Sequence, residues 1–205
     1  MVRKLLLICG ILSSLLYAGI DVAGGMLWKG YTFSSQPVSD LTAIGSPVRA
    51  FVFPLFILYD VLFIAFALGA WIANRKRVVR VVGGLLIAYG LVNFIAIFTP
   101  EHLGESATSL SNTMHIIATA VTVFLFLLQL VVGAIAFGKK FRLYSLGTLL
   151  IILVLGIYIF AGVSTNQLVP RVGVMERILI YGYMLWVAVL AIVLLRAEKG
   201  PTGTH

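Results

Sequence analysis

TPEHLGESATSLSNTMH, residues 99–115, is the one stretch where an otherwise apolar chain turns polar. It holds two of the three histidines and two of the seven acidic residues, between apolar runs long enough to cross a bilayer, for which about 20 residues suffice. Working outward from it, such runs occupy 5–26, 48–73, 78–98, 112–137, 143–163 and 174–195. The pattern predicts an all-α, polytopic bundle of six transmembrane helices, with 1–196 as a single domain and 197–205 as a flexible tail.

Composition excludes an ordinary soluble domain. Hydrophobic residues make up 61% of the chain and charged residues 11%, with a mean hydropathy of +1.10; soluble domains carry roughly a quarter charged residues. The formal charge of +8 would point to nucleic acid in a soluble protein, but in a membrane chain the placement of the cations matters more. No nucleic-acid partner is expected, and membrane lipids surround the spans.

Arg3, Lys4, Arg75, Lys76, Arg77, Arg80, Lys139, Lys140, Arg142, Arg196 and Lys199 fall in one alternate set of connections. The other set holds only Lys29, Arg49, Arg171 and Arg177. The positive-inside bias therefore predicts a multi-pass protein of the cell membrane with both termini in the cytoplasm. Acidic residues fall the other way: Asp21, Asp40, Glu101, Glu105 and Glu176 lie at outer span ends or in outer loops, Asp60 lies nearer mid-membrane, and Glu198 is inside. The charged start and apolar run of 1–25 resemble a signal peptide, but the run exceeds the roughly 7 to 15 residues of a cleaved segment. Leu6-Leu7-Ile8 before Cys9 also lacks the small residue of a lipoprotein site, so a retained first span is expected. One cysteine allows no internal disulfide.

Several polar positions are legible within this frame. In QPVSDLTAIGSP (36–47), Ser39 or Asp40 can cap a short helix, Gly45 can end it, and Ser46-Pro47 can open span two. Asp40 reads either as turn chemistry or as a ligand or base held at the bundle mouth. Pro54 predicts a kink in span two, and Asp60 must face the interior or a wet cavity, either as a packing residue or in proton or cation handling. Thr108, Ser111, Asn112, His115, Thr119, Thr122 and Gln129 share one side of span four, which is expected to face protein or water. Ser13 or Ser14, Tyr17 and Asp21 share a face of span one, and Gly156 and Gly162 would let span five pack closely. Glu176 and Arg177 point about 100° apart, so they should take different partners, with Arg177 sharing a side with Tyr181.

The SDLTAIGSP segment before span two, the FTPEH end of span three, His115 and the Glu176-Arg177 pair together resemble the prokaryotic membrane family catalogued as domain of unknown function 998. The resemblance implies a six-helix bundle with characteristic polar positions at Ser39, Asp40, Pro100, Glu101, His115, Glu176 and Arg177. It implies no activity.

Three chemistries remain open. An outward-facing pocket of Asp21, Ser39, Asp40, Glu101, His115, Glu176 and Arg177 could bind a lipid headgroup or small polar ligand in a binding or transporter-like role. Carboxylates would take an amine and arginine a phosphate or carboxylate. No nucleotide-hydrolysing motif accompanies it. Alternatively, His102, Glu105 and His115 could hold zinc for an intramembrane hydrolase of lipid amides or esters. That reading departs from the seven-span ceramidase-type enzymes, which use three histidines and a close HxxxH pair. Haem held by His102 and His115 is a weaker variant of a cofactor site. The third reading is structural: the polar stripe holds helices together.

Overall fold

Inside a bilayer every backbone N–H and C=O must find a partner within the protein, and an uninterrupted apolar run meets that demand only as a helix. The computed structural model describes residues 1–73, 76–104, 109–164 and 169–198. It contains six long helices: α1 (Val2–Leu27), α2 (Arg49–Ala73), α3 (Arg77–Ala96), α4 (Leu110–Ala136), α5 (Lys139–Ser164) and α6 (Val172–Ala197). All six are long and apolar enough to span a membrane. The expected spans and these helices differ most at α5, which starts at Lys139 rather than 143. Its first turn is basic, and hydropathy does not register a polar helix end.

Each helix packs against its neighbours in the chain, and α1 packs against α6, so the six form a closed ring with both termini at one end. At that end Arg3 Nε donates to Glu198 Oε2 at 2.7 Å, joining the start of α1 to the end of α6. Aromatic side chains fill the interior. The Tyr183 ring stacks on Phe126 at 5.0 Å and meets Tyr89 at 5.1 Å, while Phe63 lies 4.9 Å from Tyr89. Three polar contacts cross between helices in this core: Gln129 accepts from the Tyr183 hydroxyl and donates to Leu85 O, and Trp186 donates to Ser145. Between lipid-embedded helices such bonds and close packing take the place of a hydrophobic drive.

Close approach needs glycine at two points in particular. A Cβ on Gly83 would lie 2.5 Å from the Trp71 backbone, and one on Gly133 would lie 2.5 Å from the Trp186 ring. Gly156 behaves otherwise than its sequence suggests. A Cβ there would meet nothing within 4 Å, because α5 is the least buried of the six spans and turns that face outward.

Candidate functional site

The end of the ring opposite the termini is organised by one buried ion pair. Asp21, wholly buried near the end of α1, receives Arg177 of α6 in a two-pronged contact, Nε to Oδ2 at 2.9 Å and Nη2 to Oδ1 at 2.8 Å. Tyr181, one turn beyond Arg177, also donates to Asp21 Oδ2. The remaining guanidinium hydrogens face the connection between α1 and α2 and the first turn of α6. Nη1 donates to Phe33 O, Gln36 O and Gly173 O, and Nη2 to the Tyr31 hydroxyl at 2.6 Å. All five N–H donors of the arginine are thereby engaged.

The same connection is secured twice more. The Tyr31 hydroxyl donates to Pro37 O at 2.7 Å, and burial pushes that phenol up to about 12 even beside the cation. The Glu176 carboxylate accepts from Val38 N at 2.8 Å, at the start of a 3₁₀ turn, Ser39–Leu41. Ser39 and Asp40 lie inside that turn. The residue preceding it is Val38, so neither Ser39 nor Asp40 caps it as the sequence indicates: a carboxylate from α6 accepts its N–H instead. Gly45, at φ 97°, ends the unit, and Ser46 Oγ accepts from Val48 N at 3.4 Å ahead of α2.

Polar residues 99–104 dock beside this strap. Ile44 N donates to Glu101 O at 2.8 Å and Leu103 N to Ile44 O at 3.1 Å, a parallel bridge between the two connections. The start of α4 grips the same segment: Asn112 Oδ1 accepts from His102 N at 2.8 Å, and Ser111 Oγ donates to Pro100 O at 2.7 Å. His115 Nδ1 faces Thr99 O at 3.3 Å. A carbonyl only accepts, so Nδ1 is the donor in that contact. Glu105 and Thr108 lie outside the described residues.

Among the described residues at this end, three carboxylates are left over once Asp21 and Arg177 cancel. Asp40 accepts from Gln36 Nε2 at 3.3 Å, and its carboxyl is raised above the usual range, first by burial and then by the charge of Glu101. Glu176 lies within electrostatic reach of both. Glu101 Oε1 is buried without a hydrogen-bond partner. It belongs to a half-open cleft of about 280 Å³ lined by Glu101, His102, Leu103, Gly104, Asn112, His115 and Ile116. Among the described residues no three metal-ligating side chains converge.

The structure thus brings Asp21 with Arg177, and Asp40 with Glu101 and Glu176, while His115 sits in the wall of the adjoining cleft. Glu176 and Arg177 do take different partners. Thr119 departs from expectation. It is exposed on the outside of the bundle, and threonine tolerates this because its hydroxyl can bond a carbonyl one turn back, as Thr122 does to Ala118 O at 2.9 Å. Sequence reasoning passed over Tyr31, Phe33 and Gln36. The available signal was the aromatic run from Trp28 to Phe33 in a connection that has no need of aromatics.

Six apolar spans closed into a ring, with acidic groups gathered at the end opposite the termini, define a multi-pass membrane bundle. The chain belongs to the family described as protein of unknown function DUF998, whose model matches residues 11–193. No curated protein and no solved structure matches it.

Proposed function

We propose that this is a ligand-binding membrane protein, oriented with both termini in the cytoplasm, whose outward cleft takes the amine-bearing headgroup of a lipid or a small polar amine. The observation that carries the reading is the buried Glu101 Oε1 without a partner, beside a cleft of about 280 Å³. A desolvated acceptor is costly unless a donor meets it. The carboxyls of Asp40 and Glu176 stand near Glu101, while Arg177 is spent on Asp21. A protonated amine supplies both the hydrogen bond and the opposite charge. Exposed Leu103 and Ile116 at the cleft would adjoin the ligand's apolar part. The zwitterion scheme changes in one respect: with Arg177 committed, it is not the group that meets a phosphate.

Short-chain phosphatidylethanolamine titrated into the purified protein, followed by thermal unfolding, tests this. Stabilisation of the native chain is expected, with apparent affinity reduced at least about tenfold in Glu101→Gln, the loss of one charge-assisted bond. Equal stabilisation of both chains, or stabilisation by phosphatidylglycerol as great as by phosphatidylethanolamine, would contradict the proposal.

A further inference from the structure

Asp60 belongs to neither the strap nor the cleft. It lies 11 residues from the start of α2 and 13 from its end (60 − 49 and 73 − 60), about 16 to 20 Å from either boundary at the helical rise. It is 1% exposed. Asn93 Nδ2 of α3 donates to Oδ1 at 2.6 Å, while Oδ2 has no partner. The polar groups packed around this point are Tyr17 of α1, Tyr59 of α2, Tyr89 and Asn93 of α3, and Tyr183 of α6. No cation among the described residues acts on the carboxyl.

An ionised carboxylate can accept about four hydrogen bonds, and here it would hold one, in the middle of a span, with no counter-charge. Such a residue is costly even on lenient insertion scales and marks a functional site. A proton on Oδ2 removes that charge and leaves the Asn93 contact on Oδ1 in place. We propose that Asp60 is an intramembrane proton-binding site, with an exchangeable proton on Oδ2 and Asn93 fixing Oδ1. In the exchange Oδ2 takes a proton from hydronium, leaving water, and returns it to water as the O–H bond breaks.

Infrared spectroscopy of the full-length protein in lipid at neutral pH tests the assignment independently of any ligand at the cleft. The expected result is a protonated-carboxyl C=O band that shifts in D₂O, fades as pH is raised, disappears in Asp60→Asn and persists in Asp40→Asn. If Asp60→Asn does not fold, aspartate-selective ¹³C labelling of Asp40→Asn, in which Asp21 is ion-paired, identifies the band without altering position 60. Three results overturn the proposal: no band attributable to Asp60; a band indifferent to D₂O, which makes it a static packing acid; or a band abolished by sodium at constant pH, which makes it a metal-cation site.

Discussion

Arg177 reaches acceptors on α1, on the α1–α2 connection and on its own helix, so one side chain decides how three parts of the chain meet. Removing one member of a buried pair leaves the other charge unpaired, at a cost of about 3 to 5 kcal/mol. Arg177→Ala is therefore expected to lower stability by that order in denaturant or thermal unfolding. Arg177→Lys should recover little, because an ammonium lacks the planar fork that serves Asp21 and the loop carbonyls together. Replacing both partners with apolar residues should restore much of the loss, and a near-native Arg177→Ala protein would disprove the account. Asp40 adds a pH dependence. Its carboxyl titrates higher in the folded chain than in the unfolded one, so the folded state binds the proton more tightly. Stability should then fall as pH rises from about 4, the free aspartate value, through the folded titration. Asp40→Asn should flatten that slope in melts recorded across pH.

At the scale of elements, the first turn of α6 is a cradle for the strap. A Cβ on Gly173 would lie 2.4 Å from Gln36 O and 2.5 Å from Phe33 O, both backbone atoms that also bind Arg177. Gly173→Ala must push the connection away and loosen the guanidinium contacts, with an expected loss of about 1 to 3 kcal/mol from overpacking. Gly156→Ala is the counterpart. Open space surrounds that position in α5, so the change should leave stability unaltered or raise it by up to about 1 kcal/mol through helix propensity. Thermal unfolding of the two variants side by side distinguishes these effects; equal responses would mean that the strap is not seated on Gly173.

Across the whole molecule the ring is fastened at both ends between α1 and α6, by Asp21–Arg177 at one and Arg3–Glu198 at the other. The contributions are unequal. Arg3 is half exposed, and a surface pair of that kind contributes at most about 1 kcal/mol. The charge bias across the spans predicts which end faces out. In a Cys9→Ser background, a membrane-impermeant thiol reagent applied to intact cells should label Lys29→Cys. Lys140→Cys should react only after permeabilisation, and the reverse pattern would invert the proposed orientation.

Span number, helix class and the congregation of acids at one end were legible in the chain, because transfer into lipid depends on local composition and each span satisfies its own backbone. So was the divergence of Glu176 and Arg177, which follows from helical pitch alone. The choice of partners was not. Asp21 and Arg177 are 156 residues apart, and nothing in either neighbourhood specifies the other. The acceptors that saturate Arg177 are backbone carbonyls of Phe33, Gln36 and Gly173, which every residue possesses and no sequence pattern marks. Only the closing of the ring, which brings the start of α6 against the end of α1, determined that this arginine is a structural clasp and that Glu101 keeps an oxygen without a partner.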